Sequence, residues 1–156
     1  MPVRPATDDD IPAMVTLIEA HRELLQQLQN QLGRKSAGSA EMTKAWFGFL
    51  LSDDMKHGFV HESAGEIDGF IIAALLKAPP VYDPDGLACI IDDFAVASDD
   101  LWPTVGVELL AYAKAWAKDN GGTLTAVLTP HQYAPKVDAL KAAGHTVAAS
   151  LWVGDN

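Results

Sequence analysis

The stretch from Ile90 to Leu110 constrains the possible folds of this chain more than any other. Ile90, Ile91, Phe94 and Val96 form an apolar, partly β-branched run of the kind that makes a buried strand. Ser98, Asp99 and Asp100 end that run, and Pro103 suits the first turn of a helix, where a missing N–H costs little. Gly106, Leu109, Leu110, Ala113, Trp116 and Ala117 follow at helical spacing. A strand that runs into a helix N-terminus gathers free backbone N–H groups at the positive end of the helix dipole. The element therefore predicts an anion site.

The flanking segments read as alternating elements. Val3–Ala6 is a short strand, and Thr7 with Asp8, Asp9 and Asp10 has the form of a helix cap with an acidic first turn. Ile11, Met14, Val15, Ile18, Leu25, Leu28 and Leu32 mark one face of a long helix that ends at Gly33, with His21 on the same stripe. Ser39 then caps a second helix expected to bury Met42, Ala45, Trp46, Phe49 and Leu50. Gly58–Glu62 and Ile67–Leu76 are two strands joined around Ala64 and Gly65, and Gly69 marks a bulge. After a proline-rich loop and the Ile90–Leu110 element, Leu124–Leu128 is a strand. Pro135 opens a short helix with Val137 and Leu140 inward, and Thr146–Val153 is a last strand containing Trp152.

Length bounds these elements to a single domain over residues 1–156. The net charge of −10 argues against nonspecific nucleic-acid binding and fits either a cationic or amine-bearing partner or, more simply, a charge that serves solubility alone. No apolar run has the length of a membrane span, and the start of the chain lacks the apolar core of a secretory signal, so a cytoplasmic location without membrane attachment is expected. The single cysteine, Cys89, lies in the apolar run Leu87–Ile91 and reads as a buried structural thiol. His57 and His61 flank a strand, where their Cα atoms stand ~13 Å apart, too far to share one metal ion. No metal is expected.

The resulting order, β-α-α-β-β-β-α-β-α-β, resembles the GNAT superfamily of acyl-CoA-dependent N-acyltransferases over essentially the whole chain. Val3-Arg4-Pro5-Ala6-Thr7, Glu66-Ile67-Asp68-Gly69-Phe70-Ile71, Ile91-Asp92-Asp93-Phe94-Ala95-Val96 and Gly106-Val107-Glu108-Leu109-Leu110 are similar to that family's opening, hairpin, fourth strand and coenzyme-binding helix. The resemblance implies an α/β fold with a mixed, mostly antiparallel sheet and helices on both faces. It further implies a fourth and fifth strand that splay apart to hold a pantetheine arm, and acetyl-CoA as donor to a small or protein amine. A homodimer is expected from the free sheet edge and the apolar C-terminal strand.

The phosphate loop departs from the family pattern. Of its usual Gln or Arg, two residues, Gly, one residue, Gly or Ala, only the last position is matched, in Leu101-Trp102-Pro103-Thr104-Val105-Gly106. Asp99 and Asp100 add negative charge, and Leu140 stands where the family often has an acid tyrosine. The expected donor contacts are the backbone of Phe94, Ala95 and Val96 for the arm, and of Thr104, Val105, Gly106 and Val107 for the phosphates. Asp92 and Asp93 are expected to point to opposite strand faces, as general base or as structural carboxylates. Tyr133 is a candidate proton donor or a rim residue, and Trp102 is expected to pack beneath the loop. An N-acyltransferase and a catalytically inactive binding protein of the same fold both fit this pattern.

Overall fold

The computed structural model describes residues 2–156. Five strands form one sheet in the order of the sequence: β1 (Val3–Pro5), β2 (Lys56–Ser63), β3 (Glu66–Lys77), β4 (Leu87–Val96) and β5 (Gly122–Val127). The first four are antiparallel, and β5 runs parallel to β4. Helices α1 (Ile11–Leu28), the single turn α2 (Asn30–Gly33) and α3 (Ser39–Leu51) precede β2, α4 (Val107–Asp119) joins β4 to β5, and α5 (Ala134–Ala142) follows β5.

Strand alternation divides the core into two layers. Val60 of β2, Phe70 and Ile72 of β3 and Ala95 of β4 pack against Ile11, Met14 and Ile18 of α1 and Phe47 and Leu50 of α3. Their neighbours Phe59, Ile71, Ala73, Leu75, Cys89, Ile91 and Phe94 face the other way, onto Leu109, Leu110, Ala113 and Ala117 of α4 and Ala139 and Leu140 of α5. The close approach of α4 depends on Gly69, where a Cβ would stand 2.7 Å from Val105 and 2.9 Å from Leu109. The bulge expected at Gly69 is present, because His61 pairs with Gly69 and Glu62 with Ile67, leaving Asp68 between them.

Three details differ from the sequence reading. The first helix breaks at Gln29, whose φ of −148° and ψ of 93° are extended, and Leu32 ends up 61% exposed. On α3 the buried face is Thr43, Phe47 and Leu50, while Trp46 and Phe49 stack on each other in solvent at 5.4 Å. Both faces are apolar at helical spacing, so periodicity alone does not choose between them. Finally, Thr146–Val153 forms no strand. Its alternation suits one, but a strand exists only with a partner, and here Val147, Leu151 and Trp152 are 75%, 75% and 90% exposed.

Candidate active site

The site begins where β4 and β5 part. Their pairing runs from Leu87 with Gly122 to Ile91 with Val127, and the Leu128 N–H closes it on the Ile91 carbonyl at 3.0 Å. Beyond Ile91, β4 continues through Asp92, Asp93, Phe94, Ala95 and Val96 with β3 on one side only. The separation coincides with a second bulge. Ile71 pairs with Phe94 and Ala73 with Ile91, so Ile72 alone opposes Asp92 and Asp93. The extra residue keeps Ile91 and Phe94, three apart, in the same core layer, which regular alternation would forbid.

The two carboxylates are divided by this bulge rather than by a regular pleat. Asp92 is exposed, whereas the Asp93 side chain is 16% exposed and lies 3.8 Å from the Arg22 guanidinium of α1. Burial, reinforced by the charge of Asp92, pushes the Asp93 carboxyl up to about 6, against the opposing pull of Arg22 and Lys136. Arg22 also donates to Glu19 Oε1 at 3.0 Å and to Thr43 Oγ1 at 2.5 Å. Arg22 and Thr43 line an open cleft of about 410 Å³ between α1, α2 and α3, with Arg34, Lys35, Ser36 and Ser39 on its walls. Asp93 thus meets the cleft through Arg22, with its carboxyl raised to about 6.

The space next to the free edge of β4 is filled from within the chain. Lys136 of α5 is 1% exposed, and its Nζ donates to the Phe94 carbonyl at 3.1 Å. The ammonium also stands 5.0 Å from the Phe94 ring centre and 5.1 Å from that of Trp102. Desolvation lowers its pKa to about 7, although Asp92 and Asp93 act in the other direction. Sequence reading placed Val137 inward, but the inward face is Lys136, Ala139 and Leu140. That face has helical spacing, and only the charge of Lys136 hid it.

Trp102 completes the plug and is 1% exposed, so it packs beneath the loop as expected. Its ring meets Phe94 edge-on at 4.9 Å, and its Nε1–H donates to the Tyr133 hydroxyl at 2.8 Å. Tyr133 in turn donates to Asp99 Oδ1 at 2.6 Å. Burial, with Asp99 as hydrogen-bond acceptor, raises the Tyr133 phenol to about 12. His21 closes the group from α1, 5.4 Å from the Tyr133 ring, and burial lowers its pKa to about 4. The crevice among Phe94, Trp102, Gly106, Lys136, Ala139 and Leu140 has about 160 Å³ of empty volume and no room for a water molecule.

The expected phosphate loop is helical. A 3₁₀ turn, Asp99–Leu101, passes into a π-helical turn, Trp102–Gly106, and directly into α4. The Leu101 N–H donates to the Ser98 carbonyl, the Trp102 N–H to Asp99, and the Val107 N–H to Trp102 and Thr104. Thr104, Val105, Gly106 and Val107 therefore lie inside a helical run that starts at Asp99, and the first turn of that run is acidic. Gly106 has a local reason to be glycine, since a Cβ there would stand 2.6 Å from the Trp102 ring. Tyr82 is 71% exposed in its loop, and His61 is held by Asp68 at 2.5 Å. Among the described residues no group of His, Cys, Asp and Glu is arranged to hold a metal ion, and no helix is long and apolar enough to cross a membrane.

No family model and no curated protein sequence matches the chain. Solved structures do match it. A single-residue mutant of the Bacillus halodurans protein BH1408 superposes with a TM-score of 0.87 at 12% identity, over 100% of this chain and 99% of that one. A predicted acetyltransferase from Clostridium acetobutylicum, solved with acetyl-CoA, gives 0.71 at 17% identity over 99% and 94%. The aminoglycoside N-acetyltransferase AAC(6′)-Iy in complex with CoA gives 0.69 at 17% identity over 99% and 93%. The chain has the fold of the GNAT acetyltransferases, a mixed and mostly antiparallel sheet with helices on both faces.

Proposed function

We propose that this protein is an acyl-CoA-dependent N-acyltransferase that moves an acetyl group from acetyl-CoA to an amine by direct attack on the thioester. One observation carries this reading: β4 parts from β5 at Ile91, and at the parting Asp93, its carboxyl raised to about 6, stands 3.8 Å from Arg22, which lines an open cleft. In this reading the backbone of Phe94, Ala95 and Val96 receives the pantetheine arm, and the cleft beside Arg22 and Thr43 receives the amine. Asp93, directly or through water, takes the proton that the amine must lose before its lone pair attacks the carbonyl carbon. The C–S bond then breaks, the thiolate leaves with the bonding electrons, and the proton shed by the newly acylated nitrogen passes to the thiolate directly or through water. Small amines are the acceptors of choice on analogy with the aminoglycoside acetyltransferases that share the fold. The sequence expectation that Tyr133 protonates the thiolate has no support from its geometry, because its proton is engaged by Asp99 and held near 12.

The donor does not fit the closed arrangement. Trp102 and the Lys136 ammonium must leave the β4 edge before the arm can seat, and of the N–H groups expected to hold the phosphates that of Val107 is taken up in the helix. These features favour a second reading, a GNAT-fold binding protein without transferase activity. Calorimetric titration with acetyl-CoA, followed by thiol-release assays over an amine panel, separates the two. The first reading expects binding and acceptor-dependent release of free thiol. No binding at millimolar acetyl-CoA, to the native chain or to Trp102→Ala, would rule it out.

A further inference from the structure

We propose that the cleft between α1, α2 and α3 takes a free amino acid with an apolar side chain, and that this amino acid is the amine acylated. Its carboxylate pairs with Arg34, its side chain lies on Leu25, Leu32 and Met42, and its amine is turned past Arg22 toward Asp93. The role as acceptor rests on the transferase reading above, whereas the binding of the amino acid does not.

The cleft reverses the charge of the molecule. In a chain of net charge −10, its lining residues include Arg22, Arg34 and Lys35 and no carboxylate. Arg22 and Lys35 are held from behind. Arg22 donates to Glu19 Oε1, and Lys35 Nζ donates to Glu19 Oε2 at 3.1 Å and to Glu23 Oε1 at 3.3 Å. Thr43, itself buried, accepts from Arg22 and donates its own proton to the Ser39 carbonyl at 2.7 Å. The Lys35 N–H donates to Gln26 Oε1 at 3.1 Å, which anchors the chain just after α2. Arg34 is the cation left over. It is exposed, and its guanidinium makes no hydrogen bond or ion pair among the described residues.

Charge and surface together select the ligand. Three cations against the carboxylates of Glu19 and Glu23 leave one positive charge on the wall, which matches one carboxylate rather than a phosphate dianion. A guanidinium meets such a carboxylate with two parallel N–H groups. Asp93, 3.8 Å from Arg22 Nη2, supplies the single negative charge that an ammonium group needs. A zwitterion therefore finds one opposite charge for each of its own, and a polycation such as an aminoglycoside does not. The remaining wall includes Leu25, Leu32 and Met42. Leu32 and Met42 are more than half exposed, so an aliphatic or aromatic side chain laid on them removes apolar surface from water. The volume of about 410 Å³ suits a small molecule.

The test sets leucine and phenylalanine against isopentylamine and phenethylamine, which keep the amine and the side chain but lack the carboxylate. Calorimetry should show the amino acids binding the full chain without any donor. Arg34→Gln should weaken that binding by at least about tenfold in Kd with unchanged far-UV circular dichroism, and Arg34→Lys should recover part of the loss. With acetyl-CoA present, thiol release should favour the amino acids over both amines and over kanamycin in kcat/KM, and that preference should fall in Arg34→Gln. The proposal is overturned if neither amino acid binds at millimolar concentration, if Arg34→Gln binds them as well as the native chain, or if the amines or kanamycin are acylated as well as the amino acids. Amino-acid binding that depends on Arg34 but gives no thiol release from acetyl-CoA would keep the binding site and overturn the acceptor role together with the transferase reading.

Discussion

Lys136 stands at the centre of the site as a fully buried amine with one hydrogen-bond acceptor and two aromatic faces. Its pKa of about 7 lies below the 10.5 of the unfolded chain, so between these values the unfolded state binds more protons. Stability should therefore rise with pH from about 7 to about 10.5 through this group, and Lys136→Met should remove that rise from a series of urea midpoints. Asp93 has the opposite sign. Held near 6 against an ordinary value of 3.8, it stabilises the fold below 3.8, and that contribution is lost as pH rises toward 6. If Asp93 is the base, Asp93→Asn should lower kcat by about 10²–10⁴-fold with little change in the acetyl-CoA affinity. Full turnover in a folded Asp93→Asn variant would dismiss that role. Asp93 was visible in the sequence as a polar interruption of an apolar strand. Lys136 was not, because a charge on a core-facing helix position is discounted until its partners are seen.

At the scale of elements, the run from Ser98 to Val107 decides what the parting of β4 and β5 can accept. The sequence marks it as a loop by Asp99, Asp100 and Pro103, yet Trp102 pulls it into a helix by burying its ring on Phe94 and against Gly106. Gly106→Ala places a methyl group 2.6 Å from that ring and should cost about 1–3 kcal/mol in denaturant unfolding. The same change in a Trp102→Ala background should cost much less, which a double-mutant cycle will read as coupling. A second local device fixes the start of α1. The Arg4 guanidinium grips both Asp10 oxygens, at 2.8 and 2.9 Å, while Asp10 Oδ2 accepts from the Thr7 N–H at 2.7 Å. Asp10→Asn should cost about 1.5–3 kcal/mol near neutral pH. Arg4 first, then Thr7, holds the Asp10 carboxyl down to about 2. The stability it supplies is thus complete above its ordinary 3.8 and is lost as pH falls from there through 2. The cap was legible as Thr-Asp-Asp-Asp. The Arg4 contact needed the fold, because it depends on how β1 enters the sheet.

For the whole molecule, the order of elements and the two-layer core follow from alternation in β2, β3 and β4, and these strands were readable because each is buried on both faces. Alternation fails where a surface has no partner within the chain. Thr146–Val153 has a strand pattern and no strand, and α3 presents Trp46 and Phe49 to solvent while Phe47 turns inward. In both places the sequence records an apolar surface without recording what it meets. The bulge in β4 escaped the pattern for a related reason. The extra residue at Asp92 and Asp93 is recognisable only from the register with β3, and it is what brings Phe94 back to the layer it shares with Ile91.

Cys89 is fully buried in β4, between the two helical layers and the neighbouring strands, and its thiol is pushed up by desolvation. The chain holds no other sulfhydryl. To a disulfide-exchange dye at neutral pH the native protein is therefore nearly silent, and fast colour in an acetyl-CoA assay comes from free thiol in the mixture rather than from the chain. By the same token, a burst of one thiol equivalent per chain as denaturant is added marks the opening of the sheet itself, so the same reagent that assays thiol release can also time unfolding.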